Sequence, residues 1–458
     1  MAPPPESTQP IQPTHRYLAG NFAPVRTEQV LTGLAVEGTL PAFLDGRYLR
    51  NGPNPVGPVD PAGYHWFLGS GMVHGIRLRD GRAEWYRNRW VRSGEVADAL
   101  GEPRRPGPVH AEMDFSPNTN VVGHAGRTFA IVEGGSRPYE LTDELDTVGP
   151  CDFDGTLSGG YTAHPHRDLA TGDLHAISYF WGWGDVVQYS VLGRDGRVSR
   201  TVDLDVPGGP MMHDFAFTDH HVIVFDLPIT FDLDLVARQP FPYAWNPAHP
   251  SRVGVFRRDG DGTDLRWFDV APCYVYHPMN AFEDGTSLVV DVVRYESSMR
   301  TDHTGPFEAS PTLDRWTIDL NGPSTVAEQT LHDLPSEFPR IDERLTGRRH
   351  RFGYSPVSSD PNVEEPEFDG LMRVDTTNGR TQVRSFGPTR RSHEFVFVPT
   401  AEDSAEDDGV LMGLVSDVAD DTTRLVVLDS ATLEDVASVE IPARVPYGFH
   451  GNWIPTGQ

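Results

Sequence analysis

The chain has 458 residues, 66 of them acidic and 38 basic, which gives a formal net charge of −28. An acidic balance of this size argues against nucleic-acid binding, which needs a basic face. It also weighs against strong attraction to anionic lipid. The two cysteines, Cys151 and Cys273, stand outside any CxxC pair, so zinc and redox motifs of that kind are absent from the sequence.

The N-terminal segment, MAPPPESTQP, has neither a positively charged region nor an apolar core, so it does not resemble a signal peptide. No apolar run is long enough for a transmembrane helix. We therefore expect a disordered tail over residues 1–15 and a cytoplasmic location. Length alone is compatible with two or three domains, but we favour a single large domain over residues 16–458.

Strand–turn–strand patterns recur along the whole chain. The clearest lies at 77–86, where two short runs flank an Asp-Gly pair, which is a strong signal for a β-hairpin. Similar Asp-Gly or Asn-Gly pairs stand at 195–196, 259–260, 284–285 and 378–379. Apolar runs typical of buried strands stand at 222–225, 288–290 and 425–428. Helix candidates are few, namely 95–100 and Glu343–Leu345.

With 45 glycines and 40 prolines spread throughout, the sequence predicts an all-β chain with long loops. The sequence has no repeat of fixed length. The prediction of a β-propeller therefore rests on the number and spacing of the strands. A pair of β-sandwiches fits the same pattern, and the pattern alone does not decide between the two.

Four of the 18 histidines lie in contexts that differ from the rest. They are His164 in TAHPHRD, His213 in MMHDF, His277 in YHPMNAFE and His450 in GFHGNW. Their wide separation rules out a local metal-binding finger. They could meet only if each lies on a different unit that faces a common axis, as the inner strands of propeller blades do. Spacing alone does not distinguish them from four others, His74, His166, His175 and His393.

The four histidine contexts resemble the ligand motifs of the carotenoid cleavage oxygenases, a family that includes carotenoid dioxygenases, stilbene-cleaving dioxygenases and the vertebrate retinoid isomerase. The similarity covers nearly the whole chain. GNFAPV at 20–25, GRYLRNGPNP at 46–55 and HWFLGSGMVHG at 65–75 are similar to the family's opening segments. Ser70 stands where many members have aspartate, but that position is not a metal ligand.

The resemblance implies a seven-bladed β-propeller in which loops and short helices form a dome over a central iron site. One Fe(II) per chain is then expected, with His164, His213, His277 and His450 as its ligands. Four imidazoles leave room on octahedral iron for dioxygen. The arrangement differs from the common site of two histidines and one carboxylate.

Three glutamates match the residues that orient the iron ligands in this family. They are Glu133 in AIVEGG, Glu337 in SEFPRI and Glu394 in SHEFVFV. A metal-bound imidazole usually donates its other N–H to a carboxylate or carbonyl. Three such carboxylates also offset the charge of the ion without occupying a coordination position. Judged without the resemblance, each of them would be interpreted as a surface residue.

The resemblance implies a dioxygenase that splits a conjugated carbon–carbon double bond with O₂ and releases two carbonyl products, with no residue needed as a general acid or base. Stilbene-cleaving relatives typically carry a Lys before the first glutamate and a nearby Tyr, which hold and ionise a phenol. Val132 occupies that position here, and no tyrosine lies between Tyr86 and Tyr139. We therefore expect an apolar carotenoid or apocarotenoid, with Val132, Phe67 and Phe231 lining its site.

Three alternatives stay open. The first is cleavage of a lignostilbene or resveratrol type of stilbene, and the second is isomerisation of a retinyl ester on the same fold. The third, a non-catalytic propeller that binds partners, is disfavoured because such a module has no reason to keep four histidines and three glutamates together.

The segment at 227–245 is rich in large apolar residues. It fits an excursion that packs against the core, and it also fits a tunnel mouth that contacts the membrane peripherally. Asp232 and Asp234 count against the membrane interpretation.

Overall fold

The structure is a computed structural model that describes residues 15–360 and 367–457. Apart from His15, the predicted N-terminal tail lies outside these residues. Within them no helix is long and apolar enough to cross a membrane. Almost all regular structure is antiparallel β-sheet, as the sequence predicted.

The strands, in chain order, are β1 (Gln29–Thr32), β2 (Val36–Gly38), β3 (Gly46–Pro53), β4 (Gly71–Arg79), β5 (Arg82–Trp90), β6 (Asn120–His124), β7 (Arg127–Ile131), β8 (Tyr139–Leu141), β9 (Thr147–Pro150), β10 (His166–Arg167), β11 (Leu174–Tyr179), β12 (Val186–Leu192), β13 (Val198–Asp205), β14 (Phe215–Phe217), β15 (His221–Asp226), β16 (Ile229–Phe231), β17 (Tyr243–Trp245), β18 (Arg252–Arg257), β19 (Arg266–Asp269), β20 (Tyr274–Asp284), β21 (Ser287–Tyr295), β22 (Thr312–Asp319), β23 (Ala327–His332), β24 (Arg340–Ile341), β25 (Phe352–Val357), β26 (Gly370–Asp375), β27 (Arg380–Ser385), β28 (Arg390–Pro399), β29 (Gly409–Asp417), β30 (Thr422–Asp429), β31 (Asp435–Ile441) and β32 (Gly451–Pro455).

These strands form seven blades and one extra two-stranded sheet, β16–β17. The blades, with their strands in spatial order, are blade 1 (β1-β5-β4-β3-β32), blade 2 (β6-β7-β8-β9), blade 3 (β10-β11-β12-β13), blade 4 (β14-β15-β18-β19), blade 5 (β20-β21-β22-β23), blade 6 (β24-β25-β26-β27) and blade 7 (β2-β31-β30-β29-β28). The predicted seven-bladed propeller is confirmed, and the alternative pair of β-sandwiches is wrong.

Both ends of the described chain help to close the ring. The C-terminal strand β32 pairs with β3 and becomes the inner edge of blade 1. Strand β2, the second strand from the N-terminus, pairs with β31 at the outer edge of blade 7. Blades 1 and 7 therefore each combine residues from opposite ends of the sequence.

The predicted turns lie where the sequence indicated. Each of the five Asp-Gly or Asn-Gly pairs named above connects two paired strands of one blade. At the first of them Asp80 and Gly81 have φ angles of 51° and 68°, the left-handed values that a tight β-hairpin turn requires.

Two α-helices occur among the described residues, α1 (Gly94–Leu100) and α2 (Leu233–Val236). The helix predicted at 95–100 is α1. It begins with Ser93 accepting a hydrogen bond from the Val96 N–H and ends at Gly101 in the left-handed conformation. The second candidate, Glu343–Leu345, is a 3-10 turn. Further 3-10 turns lie at Arg16–Leu18, Gly20–Phe22, Pro61–Gly63, Trp66–Leu68 and Trp181–Trp183.

The inner edges of the blades surround the propeller axis, and neighbouring inner strands such as β14 and β20, or β28 and β32, contact each other. Two of the inner strands are irregular. The register of β20 shifts between Val275 and Pro278, where the proline cannot donate to the ladder. The register of β28 shifts between Ser392 and Phe395. Bulges of this kind re-aim side chains, and these two flank His277 and Glu394.

Candidate metal centre and substrate cavity

The four singled-out histidines meet at the propeller axis. His164, His213 and His450 stand just before the inner strands β10, β14 and β32, and His277 lies within the inner strand β20. All four are buried. One ring nitrogen of each lies within 4.8 Å of those of the other three, and no other such group of histidine, cysteine and acidic residues occurs in the described ranges.

The spacing of these nitrogens suits a bound metal ion. The Nε2 atom of His213 lies 3.0 Å from Nε2 of His164 and 3.3 Å from Nε2 of His277. Two nitrogens bound about 2.1 Å from one ion, at about a right angle, are separated by about 3.0 Å. The residues present therefore fit a divalent transition metal, and imidazole donors suit iron among others.

Three glutamates determine which ring nitrogens face the centre. His213 Nδ1 lies 2.8 Å from Glu133 Oε1, His277 Nδ1 lies 2.6 Å from Glu337 Oε2, and His450 Nδ1 lies 3.0 Å from Glu394 Oε1. With Nδ1–H donated to a carboxylate, the Nε2 atom of each ring carries a lone pair. Lone pairs that face each other at about 3 Å repel, so this arrangement calls for a cation between them.

Every blade contributes one residue to this group of seven. The histidines come from blades 1, 3, 4 and 5. Glu133 follows β7 of blade 2, Glu337 precedes β24 of blade 6, and Glu394 lies in β28 of blade 7. The wide separation of these residues in the sequence thus follows from the radial symmetry of the fold.

Burial lowers the pKa of a histidine, but at His277 the carboxylate of Glu337 outweighs burial and raises the pKa of that ring. At His164 burial dominates and lowers the pKa well below the ordinary value, and the three neighbouring imidazoles lower it further. A neutral imidazole is the form that binds metal. Burial raises the pKa of Glu394, but Arg340 and His450 outweigh this and hold the pKa below its ordinary value. An ionised carboxylate is thereby maintained in a buried position.

A large apolar cavity adjoins the centre on one side. Its volume is about 360 Å³, and His213, His277 and His450 form part of its wall. The three predicted substrate-site residues, Val132, Phe67 and Phe231, also line it. Aromatic residues beyond these three complete much of the wall: Trp66, Phe115, Tyr179, Trp181, Phe241, Tyr243, Tyr276, Tyr295, Phe307, Phe338 and Phe449. Two of them, Phe241 and Tyr243, lie in the segment at 227–245.

Four tyrosines bring phenol groups to the cavity: Tyr179, Tyr243, Tyr276 and Tyr295. The expectation that a phenolic substrate finds no tyrosine partner rested on 86–139 and missed these four, because they come from other parts of the chain. Burial raises the pKa of all four, so they are neutral hydrogen-bonding groups. The chain contains no lysine at all, since all 38 basic residues are arginines.

The segment at 227–245 divides between the propeller core and the cavity, and its membrane contact stays a prediction. Leu227 and Ile229 are buried in the propeller core. Phe231, Leu233 and Val236 instead line the cavity, and Leu233 is 75% exposed. Three more exposed apolar residues also line the cavity, namely Leu68, Phe115 and Trp181. The mouth of the cavity is therefore an apolar surface. We call it the mouth patch and define it by the exposed residues Leu68, Phe115, Trp181, Leu233 and Val236.

A second cavity of about 300 Å³ reaches the centre from another direction and includes His164, His277 and His450 in its wall. Its wall is much more polar, with Arg340, Asp214, Asn120 and Asn452 among its members. Arg340 donates to Asn452 Oδ1 at 2.8 Å and lies 3.4 Å from Glu394 Oε1. The group of four histidines thus separates an apolar space from a polar one.

The comparisons with known proteins agree with this geometry. The family model described as retinal pigment epithelial membrane protein (RPE65) matches residues 22–455. A carotenoid cleavage oxygenase from Mycobacterium tuberculosis is 49% identical, over 98% of this chain and 99% of the relative. The chain belongs to the carotenoid cleavage oxygenase family.

Two other similarities place this oxygenase near enzymes named for aromatic alkenes. The isoeugenol monooxygenase of Pseudomonas nitroreducens is 32% identical, over 96% of this chain and 98% of the relative. The crystal structure of Pseudomonas brassicacearum lignostilbene dioxygenase superimposes with a TM-score of 0.85 at 29% identity, over 96% of this chain and 98% of that chain. The family therefore fixes an oxygenase, and not one particular alkene.

The four competing histidines of the oxygenase have other partners. His166 Nε2 lies 2.7 Å from Asp214 Oδ1. His74 and His175 pair with Tyr86 and Tyr189, and His393 lies between Arg50 and Ser416. His74, His175 and His393 are buried and His166 is half-buried, and none of them joins the central group.

Some of the missed cavity residues carry a local signal in the sequence. Tyr276, Phe338 and Phe449 each adjoin a member of the central group, namely His277, Glu337 and His450. An aromatic residue beside a candidate ligand is therefore a usable marker of the cavity wall. Tyr179 and Tyr295 have no such neighbour, and only the three-dimensional arrangement identifies them.

Proposed function

We propose that the chain is a non-haem iron(II) dioxygenase that cleaves a conjugated carbon–carbon double bond of a carotenoid or apocarotenoid. One molecule of O₂ is consumed and each product takes one oxygen atom as a carbonyl, so atoms balance without a further reductant. The main observation in support is that three buried imidazoles lie in the wall of a large apolar, aromatic cavity.

In this proposal His164, His213, His277 and His450 hold the iron, and Glu133, Glu337 and Glu394 orient three of the four rings. Ferrous iron bound there supplies the activation of dioxygen. The fit rests on the facing Nε2 atoms and on the carboxylate behind each of three rings.

The protein's own task is to position the alkene and to exclude water. An aromatic cavity wall gives a rigid polyene a large contact area, and a fixed alkene avoids much of the entropic cost of the reaction. No general acid or base is required. The carboxyl groups of Glu133, Glu337 and Glu394 are already engaged with imidazoles, which agrees with a reaction that transfers no proton.

The charge of the cavity favours an apolar substrate. Val132 lies in the wall where stilbene-cleaving relatives typically have Lys, and the chain has no lysine to supply an ammonium group elsewhere. The hydroxyls of Tyr276 and Tyr295 are already hydrogen-bonded to Ser298 and Glu337, so they are not free to donate to a phenolate. A polyene has no ionisable group and therefore needs no charged partner in the cavity.

Cleavage of an aryl alkene is the second candidate. It is supported by the isoeugenol- and lignostilbene-named relatives and by a cavity volume of about 360 Å³, near the lower end of the range for ligand pockets. The hydroxyls of Tyr179 and Tyr243 could accept a hydrogen bond from an un-ionised phenol or donate one to it.

We also propose that the mouth patch contacts a membrane surface from which an apolar substrate enters. The exposed fractions of Leu233 and Val236, 75% and 52%, are large for apolar side chains at a cavity mouth. Burying them in lipid would remove apolar surface from water. The corresponding location is the cytoplasm, with peripheral association at a membrane surface.

The test is anaerobic loading with Fe(II), addition of O₂, and mass spectrometry of products from β-carotene, an apocarotenal, resveratrol and a methoxylated stilbene. Aldehydes from the polyenes alone are expected. His277→Ala is the test variant and His175→Ala is its matched control. Both remove a buried imidazole, but only His277 belongs to the central group.

Stilbene cleavage without polyene cleavage would overturn the carotenoid assignment and establish the aryl-alkene candidate. A wild-type chain that binds less than one iron per molecule, or turnover that survives in His277→Ala, would overturn the metal centre itself.

A further inference from the structure

Tyr295 connects the wall of the apolar cavity to the metal centre. It is the last residue of β21 in blade 5, and its side chain has no solvent exposure. Its ring lines the cavity. Its hydroxyl donates a hydrogen bond to Glu337 Oε1 at 3.2 Å.

Glu337 uses its two oxygens for different purposes. Oε2 accepts from His277 Nδ1 at 2.6 Å and from the Phe338 backbone N–H. Oε1 accepts from Tyr295. The terminal torsion of a glutamate is broad and roughly two-fold, so a carboxylate bound through one oxygen alone retains rotational freedom. The Tyr295 hydroxyl removes that freedom.

We propose that Tyr295 is a positioning residue for the metal ligand His277 and acts through the Glu337 carboxylate. The inference rests on the proposed metal centre. It adds a layer behind the outer carboxylate, in which a residue of the substrate cavity sets the direction of a ligand ring.

Energetics support this layer. Glu337 is buried with 2% exposure, and a buried acceptor that loses its partner is left with an uncompensated loss of hydration. Without the Tyr295 hydroxyl, Oε1 has that deficit, and the carboxylate gains by rotating away from His277. Burial and the adjacent carboxylate raise the pKa of Tyr295, so the phenol keeps the proton that it donates.

The chain offers a closely matched control in Tyr276. Both tyrosines line the same cavity and are buried, and their rings pack edge to face with centroids 5.5 Å apart. The hydroxyl of Tyr276 instead pairs with Ser298 Oγ at 2.7 Å. A Tyr→Phe change thus removes one cavity hydroxyl in either case, but only one of the two changes affects an outer glutamate.

The experiment measures Co(II) and Fe(II) dissociation constants by chelator competition without substrate, together with the visible spectrum of the Co(II) protein. Tyr295→Phe is expected to weaken metal binding about tenfold, the lower end of the effect of an outer-shell partner, and to alter the Co(II) spectrum. Tyr276→Phe is expected to leave both unchanged. Loss of substrate contact alone would move neither quantity.

A double-mutant cycle tests the route. In the Glu337→Gln background, Tyr295→Phe is expected to have little further effect on metal affinity, because the carboxylate it acts through is gone. Unchanged metal affinity in Tyr295→Phe, equal effects of the two tyrosine variants, or full additivity with Glu337→Gln would each overturn the proposal. A wild-type chain that binds no metal would instead overturn the proposed function.

Discussion

His164 Nδ1 lies 3.7 Å from Asp214 Oδ2, whereas the other three central histidines each approach a glutamate oxygen at 3.0 Å or less. The Asp214 carboxylate is already held by the Phe215 N–H and by His166, both at 2.7 Å. His164 is therefore oriented by a charge that lies beyond hydrogen-bond distance.

This asymmetry predicts unequal effects on metal affinity. Glu337→Gln is expected to weaken metal binding roughly 10- to 100-fold, because it replaces a carboxylate that accepts directly from a ligand ring. Asp214→Asn, which keeps the side-chain shape, is expected to cost less than about tenfold. Chelator competition with Co(II) measures both. An Asp214→Asn loss as large as that of Glu337→Gln would contradict the ranking.

Removal of the metal is expected to destabilise the fold. An ion that binds only the folded chain at 100 times its dissociation constant adds about 2.7 kcal/mol to the free energy of unfolding. The ion also relieves the repulsion between facing Nε2 lone pairs. Calorimetry of the protein with and without Fe(II) under anaerobic conditions measures the shift in Tm.

The control for this prediction is His277→Ala, which is expected to show little or no metal-dependent shift in Tm. An identical Tm for the wild-type chain with and without metal would show that the central histidines do not hold an ion.

Glu283 links blade 5 to blade 4 and predicts a pH-dependent stability. Its carboxylate accepts from Thr218 Oγ1 at 2.7 Å and lies 2.9 Å and 3.1 Å from Nδ1 of His220 and His221. Partial burial raises the pKa of Glu283, but these partners outweigh it and lower the pKa to about 2. A carboxyl pKa lowered by folding stabilises the protein above the ordinary value of about 4.3, and this contribution is lost as the pH falls towards 2.

Glu283→Gln is therefore expected to lower the free energy of unfolding by about 2 kcal/mol near neutral pH. The difference from wild type should shrink steadily below about pH 4, as the wild-type carboxylate gains a proton. Urea denaturation at several pH values measures it. The exposed Glu434, on the β30–β31 hairpin, supplies the control Glu434→Gln. A difference independent of pH would contradict the assignment.

The mouth patch predicts a preference among lipid surfaces. Leu233→Ser is expected to weaken binding to phosphatidylcholine vesicles about tenfold, since burying a leucine side chain contributes about 1.5–3 kcal/mol. Val148→Ser, at an exposed valine on β9 away from the cavity, should leave binding unchanged. Vesicle sedimentation measures both.

The net charge of −28 adds a second expectation for the same assay. Anionic vesicles should bind the wild-type chain less well than neutral ones, and salt should reduce the difference. Stronger binding to anionic vesicles, or equal losses in the two variants, would contradict docking through the mouth patch.

The sequence predicted the parts of this molecule that depend on local chemistry. Asp80 and Gly81 mark a hairpin because their conformations are required by the turn itself. Ser93 and Gly101 bound α1 for the same reason. The four histidines were separable from the others only through the resemblance of their flanking motifs to a known family, since nothing local distinguishes His164 from His166.

The apolar cavity was less predictable, because its wall is assembled across blades. Val132, Phe67 and Phe231 were expected there and do line it, but Tyr179 and Tyr295 were missed. Each of those two is the last residue of an ordinary strand, β11 and β21, and their role depends on where the blades converge. Asp214 was overlooked for a related reason, since its relation to His164 arises only when blades 3 and 4 meet.

The closure of blade 1 by β32 has a consequence for biosynthesis. Once the chain has been synthesised as far as residue 277, three of the four central histidines are present. The fourth, His450, directly precedes β32, the strand that completes the ring. Because synthesis runs from the N-terminus and domains fold as units, an emerging chain with six finished blades still lacks one of the four imidazoles. A group of four imidazoles can therefore form only after His450 has been synthesised and β32 has paired with β3 to complete blade 1.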